Sequence, residues 1–226
     1  MKTTLIIFTW DEIDGMKAIM PQIKKEWYDQ MIIVDGGSTD GTIEYAKEHG
    51  YPIFVQKGKG TGAAFREAME RATGDIIIPF SPDGNSVPEK IPELVAKLKE
   101  GYDIVIASRY LGNAKSYDDD PVTTFGNWFF TNLMNLMFGS KITDCFVMFR
   151  AYRADALRSL NINTDDCSWG SLILIRATKK KLKIGEIPAD EPARIGGKRK
   201  MSPLGNGSRE LTAFIKEFFA GNKTIS

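Results

Sequence analysis

Gln30-Met31-Ile32-Ile33-Val34-Asp35-Gly36-Gly37-Ser38-Thr39-Asp40-Gly41-Thr42 decides the fold class. Met31–Val34 is an unbroken apolar run, the signature of a short strand buried on both faces. The glycines after it allow a tight turn, and Ser38, Thr39 and Asp40 are side chains that cap a helix. The helix they open is expected over Gly41–His49. The same strand-turn-helix unit recurs on either side. Strands are expected at Thr3–Thr9, Gln30–Val34, Pro52–Gln56, Ile76–Phe80 and Asp103–Ala107, with helices at Met16–Lys25, Ala63–Ala72 and Glu89–Lys99 between them. Such alternation predicts an α/β fold with a mainly parallel central sheet and helices on both faces. Ligands of these sheets bind outside the carboxyl ends of the strands, so the loops after Thr9, Val34, Gln56, Phe80 and Ala107 are the ones to search. Pro79 has no N–H for a ladder and is expected at a strand end or bulge.

The second half reads differently. Thr123–Phe138 is a long helix rich in aromatic residues and Met, with apolar positions that nearly encircle it, and core packing is the expected use. A strand is expected around Phe146–Ala151, a helix over Gly170–Lys181 and a strand over Leu182–Ile187. Gly196–Gly207 is a loop dense in Gly, Lys and Arg, and Ser208 is placed to cap a last helix carrying Phe214, Ile215, Phe218 and Phe219. Asp118–Asp120 and Lys179–Lys181 read as solvated charge runs, and His49 as a helix-end cation.

The 226 residues suit one substantial core. The expected organisation is a single domain, with a nucleotide-binding half at 1–110, an acceptor and lid half at 111–207, and a C-terminal helix and tail at 208–226. A net charge of +1 gives no overall attraction to nucleic acid, so none is expected as a partner. Cys145 and Cys167 lack metal-ligand spacing and are expected to be reduced, in a cytoplasmic protein. No apolar run approaches the ~20 residues of a membrane span. Leu5–Phe8 is followed at once by Asp11 and Glu12, a strand and not a signal peptide. A soluble protein is expected, peripheral to the cytoplasmic membrane face at most. The sequons at Asn206 and Asn222 carry no meaning in that setting.

Three loops hold candidate chemistry. Asp35, at a carboxyl end, is suited to hydrogen-bond a nucleobase or ribose, although a plain turn reads equally well. In Ser81-Pro82-Asp83-Gly84-Asn85, Asp83 and Asn85 can turn oxygens toward one point, as hard cations require, with a capping turn as the alternative. Lys57-Gly58-Lys59-Gly60-Thr61-Gly62 opens a helix, a natural phosphate position, but matches neither a Walker loop nor a dinucleotide fingerprint.

In their order and spacing these segments resemble family 2 glycosyltransferases, in particular the dolichol-phosphate mannosyltransferase-like branch. The likeness runs from about Thr3 to Met201. Thr9-Trp10-Asp11-Glu12 resembles the family's P-x-Y-N-E opening, and Ile32 through Thr42 its V-V-D-D-G-S-x-D-G-T. Gly60 through Phe65 and Ala72-Thr73-Gly74-Asp75 are similar to G-x-G-T-A-Y and A-x-G-D. Ser108-Arg109-Tyr110 resembles S-R-Y, and Asp144–Arg150 with Tyr152-Arg153 resembles D-x-x-x-G-F-R-x-Y-R. Glu186-Ile187-Pro188 and Arg194 through Met201 resemble E-V-P and R-x-x-G-x-S-K. Three positions depart from the pattern: Ser81 replaces the first acid of D-A-D-G-Q, Gly36 replaces the second Asp of its block, and Thr124, Phe125 and Phe129 stand where arginines often precede the long helix.

The resemblance implies the GT-A-type nucleotide-diphospho-sugar transferase fold and sugar transfer, with inversion, from a UDP- or GDP-sugar to a lipid-phosphate or glycan acceptor. Mg²⁺ or Mn²⁺ would assist, held by Asp83 and Asn85. The implied donor site comprises Thr9, Trp10, Asp11, Glu12, Asp35, Gly37, Ser38, Gly60, Ser81, Pro82, Asp83, Arg194 and Lys200. The implied catalytic residues are Asp83, Asp144 and Arg109. A hydroxyl acceptor would need a carboxylate base, and Asp144 is the family-placed candidate, with Asp165 and Asp166 as outsiders; an ion pair with Arg150 or Arg153 is the other reading of Asp144. Arg194–Gly207 is expected to be a mobile lid whose Arg194 and Lys200 reach the diphosphate. Exposed aromatics on the long helix would meet membrane or lipid. A sugar nucleotidyltransferase, which would carry a Gly-rich loop after strand one, and a non-catalytic nucleotide-sugar binder are the rival functions.

Overall fold

The computed structural model describes residues 1–196 and 203–221. Seven strands form one sheet in the order β3-β2-β1-β4-β6-β5-β7: β1 Thr3–Thr9, β2 Gln30–Asp35, β3 Ile53–Val55, β4 Ile76–Phe80, β5 Ile104–Ser108, β6 Arg150–Arg153 and β7 Ile184–Pro188. All neighbouring pairs are parallel except those made by β6, which runs antiparallel between β4 and β5. Side chains alternate across the sheet as the strand period demands. Ile6, Ile32, Val34, Ile77, Ile104 and Ile106 enter one core layer, and Leu5, Ile7, Ile33, Ile78, Val105 and Ala107 the other.

Helices α1 (Ile13–Ile19), α2 (Thr42–Glu48) and α4 (Lys90–Lys99) contribute to the second layer through Met16, Ile19, Ala46, Ile91 and Leu94. Helices α3 (Thr61–Arg71), α5 (Pro121–Phe138), α6 (Ala154–Arg158), α7 (Trp169–Lys179) and α8 (Pro203–Ala220) cover the first, through Phe65, Phe130, Met134, Leu157, Trp169, Ile173 and Phe214. The fold is the expected α/β sandwich. Strands β1, β2, β4, β5 and β7 all point their carboxyl ends to one edge, where the candidate loops gather.

Several boundaries differ from the sequence reading. The first helix stops at Ile19 and gives way to 3₁₀ turns at Met20–Gln22 and Lys25–Trp27, because Pro21 lacks the N–H an α-helix would use. Pro79 lies inside β4, opposite Ile6; pairing with β6 ends at Ile77, so no ladder donor is missing on that flank. The strand expected around Phe146 begins only at Arg150, since the N–H groups of Phe146 and Val147 donate to Asp144 Oδ1 at 3.2 and 3.1 Å. The last helix starts at Pro203, not Ser208, whose hydroxyl donates back to the Gly205 carbonyl. Asp120, read as part of a solvated run, caps α5 by accepting from Thr123 N at 2.8 Å, with Pro121 in the first turn. Lys179 is also not a solvated helix end. It donates to Glu217 Oε2 at 2.6 Å and ties α7 to α8.

Candidate donor and transfer site

The loops after β1 and β2 are stitched into one surface. Asp35, fully buried, accepts from Thr9 Oγ1 (2.7 Å) and Ser38 Oγ (2.6 Å) on one oxygen, and from the N–H of Gly37 (2.8 Å) and Ser38 (2.7 Å) on the other. Both oxygens therefore shape the turn. Asp11 takes a left-handed conformation (φ 51) and accepts from Thr39 N, while its own N–H donates to Ser38 Oγ at 2.7 Å. The hydroxyl of Thr42 takes the Glu12 N–H at 3.0 Å. Trp10 stays half exposed with its ring lying on Gly36, where a Cβ would come within 3.0 Å of the indole. Gly36 is thus the residue that lets the indole sit flat on the loop.

The loop after β4 lies against these. A Cβ on Gly15 would fall 2.2 Å from the Pro82 carbonyl oxygen, so α1 approaches the Ser81–Asn85 turn closely only because residue 15 is glycine. Asp83 is buried; its Oδ1 accepts the Asn85 N–H at 3.0 Å and its Oδ2 accepts Arg194 Nη2 at 2.8 Å. Arg194 Nη1 donates to Glu12 Oε1 at 3.0 Å, so one guanidinium joins the loops after β1 and β4. Asn85 Nδ2 donates to the Pro192 carbonyl at 2.9 Å, a bond that does not engage the amide oxygen.

Next to it lies a buried cluster around Arg109, just past β5. Nε and Nη2 form a two-pronged pair with Asp144 at 2.7 and 3.0 Å, and Nη1 reaches Glu191 (3.1 Å) and Asp119 (3.3 Å). Tyr110 Oη donates to Asp119 and Ser116 Oγ to Glu191. Burial works against the arginine's charge and the carboxylates restore it, Asp144 above all, so its pKa stands well above the ordinary value. Burial likewise tends to raise Asp144, but the Arg109 charge and hydrogen bonds outweigh it and hold the carboxyl low. In Glu191 burial wins over Arg109 and its carboxyl is raised. Asp144 thus pairs with Arg109, not with Arg150 or Arg153. Arg150 instead donates to the carbonyls of Cys145 (2.7 Å) and Gly170 (2.8 Å), and Arg153 pairs with Asp155. Asp119, read as solvated, is buried in the same cluster.

The model of glycosyl transferase family 2 matches residues 5–160 of this chain. The chain belongs to glycosyl transferase family 2. Relatives in the dolichol-phosphate mannosyltransferase-like branch are similar along most of its length. An undecaprenyl-phosphate mannosyltransferase from Micrococcus luteus is 26% identical over 89% of this chain and 88% of its own. A dolichyl-phosphate hexose transferase from Haloferax volcanii is 24% identical over 94% and 92%. The glycosyltransferase AglJ of the same organism is 24% identical over 88% of this chain, which spans only 66% of that protein. Among solved structures, glucosyl-3-phosphoglycerate synthase from Mycobacterium tuberculosis, in complex with Mn²⁺, UDP-glucose and phosphoglyceric acid, shares the fold with a TM-score of 0.75 at 20% identity, covering 96% of this chain and 80% of that one.

For this family 2 glycosyltransferase, then, Thr9, Trp10, Asp11, Glu12, Asp35, Gly37, Ser38, Ser81, Pro82, Asp83, Asn85 and Arg194 come together at one sheet edge. Gly60 belongs to a different contact. A Cβ there would lie 2.2 Å from the Asp165 carbonyl oxygen, and the same carbonyl accepts the Gly62 N–H at 3.1 Å. The glycines of that loop let the 164–166 segment close on the start of α3, so their spacing answers to backbone packing. Asp165 pairs with Arg66, and Asp166 accepts from the Ser168 N–H at 2.9 Å. Lys198, Arg199 and Lys200 lie outside the described residues. Glu191, Asp119 and Glu186 were not foreseen; Glu186 takes the N–H (2.9 Å) and hydroxyl (3.0 Å) of Thr143 beside Asp144. Glu186 stands in the E-V-P-like motif, whereas Glu191 and Asp119 carry no local signal.

The residues present fit a divalent cation of the kind that relies on its substrate. Among the described residues no three His, Cys, Asp or Glu side chains converge to hold a metal. Asp83 nevertheless presents a buried carboxylate oxygen on which a cationic group already sits. Mg²⁺ characteristically needs only one or two carboxylates, taking its other ligands from phosphates and water. Both cysteines are free, and burial pushes the Cys167 thiol up to about 11, in keeping with structural thiols.

Proposed function

We propose that this protein transfers a hexose from a UDP- or GDP-sugar to a polyprenyl phosphate at the cytoplasmic membrane face. Residues 1–110 would bind the nucleotide, and 111–207 would receive the acceptor. The observation that carries the reading is the meeting of Asp83, Glu12 and Arg194 on one sheet edge, where anionic and cationic groups can take a metal-bound diphosphate between them.

The acceptor phosphate oxygen attacks the anomeric carbon as the bond from that carbon to the diphosphate oxygen breaks. The electron pair leaves on the nucleoside diphosphate, and the configuration inverts. Mg²⁺ or Mn²⁺, when bound, neutralises charge growing on the leaving group. Asp83 would hold it, with the Asn85 amide oxygen beside it. Arg194 would stabilise the same oxygens from the protein side. Trp10 offers its exposed indole to the base. A phosphate nucleophile is already anionic and needs no base. Asp144 suits that chemistry: fully buried, it accepts from Arg109, Phe146 and Val147 and has no solvent-facing oxygen. Its proposed task is to position Arg109.

A lipid-borne acceptor is supported by the apolar outer faces of α5 and α8 and by the relatives named for polyprenyl phosphates. No helix of the described residues is long and apolar enough to cross a membrane. The test is transfer of labelled hexose from UDP- and GDP-sugars to polyprenyl phosphate in detergent or vesicles with Mn²⁺. Product is expected for one donor, with a loss of at least about 100-fold in Asp83→Ala, whose far-ultraviolet circular dichroism should match wild type. Full activity in Asp83→Ala would remove that residue from the mechanism. Transfer only to water-soluble acceptors would remove the lipid.

A further inference from the structure

The chain that follows β7 crosses the candidate diphosphate site as a strap, and its contacts are of two independent kinds. The first are made by backbone. Ile195 N donates to the Asp83 carbonyl at 2.7 Å, Arg194 N to Asp118 Oδ1 at 3.3 Å, and the Pro192 carbonyl accepts Asn85 Nδ2 at 2.9 Å. Gly84 (φ +89) makes room for this: a Cβ there would lie 2.7 Å from Ile195 Cγ1. These contacts seat residues 192–195 without help from the arginine side chain.

The second kind is the guanidinium itself. It lies between Glu12 and Asp83, two carboxylates from different loops, each less than a tenth exposed. Its Nε is buried with no hydrogen-bond partner. Buried carboxylates facing one another are unfavourable without positive charge, and the guanidinium supplies it to both, most directly to Asp83. The same Asp83 oxygen is the one that the proposed reading gives to the metal. A divalent cation bound to that oxygen would set its charge against the guanidinium, so the two compete for it.

We propose that Arg194 is the resident counterion of the donor site, occupying the metal's place on Asp83 until a metal-diphosphate complex exchanges with it; the inference rests on the metal-assisted reading above. Metal arriving alone must displace the guanidinium from Asp83 and leave it with Glu12 as its carboxylate partner, beside the metal's own charge. Diphosphate arriving alone meets Asp83 and Glu12. Together they satisfy every charge: the carboxylate receives the metal, and the released Nη2 and the unpartnered Nε form the fork that grips a phosphate bidentately. The strap thereby makes metal and nucleotide binding interdependent.

The test measures Mn²⁺ binding by paramagnetic resonance of the free ion, with and without UDP or GDP, in wild type, Arg194→Gln and Arg194→Lys. Wild type should bind Mn²⁺ weakly alone and about 10–100-fold more tightly with the matching nucleotide. Arg194→Gln should bind Mn²⁺ alone about tenfold more tightly than wild type, and the gain from nucleotide should shrink. Arg194→Lys keeps the charge and should stay weak for Mn²⁺ alone, while losing part of the nucleotide gain with its fork. Arg194→Gln that binds Mn²⁺ no better than wild type, with nucleotide coupling intact in wild type, overturns the counterion role while leaving the metal reading standing. Nucleotide binding that is indifferent to Mn²⁺ in all three proteins overturns both. Arg194→Gln should melt below wild type, and unchanged hydrogen exchange of the Ile195 amide in the three proteins reports that the backbone contacts have kept the strap in place.

Discussion

Single residues at the site divide into those that face the cleft and those that hold them. Asp144 is the sharpest case. It sits where the family pattern suggests catalysis, yet every hydrogen bond it accepts comes from inside the protein. Asp144→Asn should therefore act first on stability. Breaking a buried pair from one side costs about 3–5 kcal/mol, and the lower end applies because Arg109 keeps Asp119 and Glu191. The expected fall in melting temperature is roughly 6–12 °C at this chain length. A thermal melt that is unchanged beside a large loss of transfer would instead point to direct participation in the reaction.

Among the elements, α8 is built the reverse of an ordinary surface helix. Its inner face carries Glu210, Phe214 and Glu217, at helical spacing and all buried, while Leu211, Ile215, Phe218 and Phe219 face outward, Phe219 with 83% of its surface exposed. Glu217 is held by Arg176 Nε at 2.8 Å and by Lys179. Glu210 has Ser171 as its partner, and burial, helped by Asp166, raises its carboxyl to about 7. It thus takes up a proton on folding relative to its ordinary value of 4.5. Its contribution is complete below that value and is lost as pH rises through about 7. Wild type minus Glu210→Gln, compared by hydrogen exchange in α8 between pH 5 and pH 8, should show up to roughly 3 kcal/mol of pH-dependent protection present only in wild type. The outward face has a different consequence. Trp128, Phe125 and Phe129 on α5 are exposed like Phe218 and Phe219, and α5 and α8 pack together through Phe130 and Phe214. Phe218→Ser with Phe219→Ser should reduce flotation with phospholipid vesicles at least tenfold, given about 1.5–3 kcal/mol for each buried phenylalanine. Flotation equal to wild type would exclude this face from lipid contact.

At the scale of the whole molecule, ligand binding and stability are linked because the site is assembled from loops of β1, β2, β4 and β7, which no local unit supplies. A ligand that binds only the folded chain at about 100 times its dissociation constant adds about 2.7 kcal/mol. For a chain of this size that corresponds to a melting temperature raised by roughly 5–10 °C. The rise is expected for one of UDP or GDP in the presence of Mn²⁺, and to fall sharply with excess chelator. Equal shifts with and without chelator would show that the nucleotide binds without metal.

The sequence by itself determined the α/β alternation, because continuous apolar strands and amphipathic helices are local patterns that pay no regard to distant residues. It also marked the Thr9–Glu12, Asp35–Thr42 and Ser81–Asn85 loops as carboxyl-end loops, through the alternation alone, and the family through motif order. Tertiary structure decided the partners. That Asp144 binds Arg109, that Arg194 spans Glu12 and Asp83, and that Gly60 serves a carbonyl of Asp165 depend on pairs separated by 35 to 182 positions and on a contact no periodicity encodes. Asp118–Asp120 and Lys179 read as solvated charge because a run of like charges ordinarily is. Asp120 found its use locally, as the cap of α5, but only the return of residue 191 beside residue 116, and of α8 onto α7, supplied the surroundings that bury the side chains of Asp119 and Lys179. Charge carries no direction along a chain; its partner is set by which strands lie side by side, and that is decided when the sheet closes.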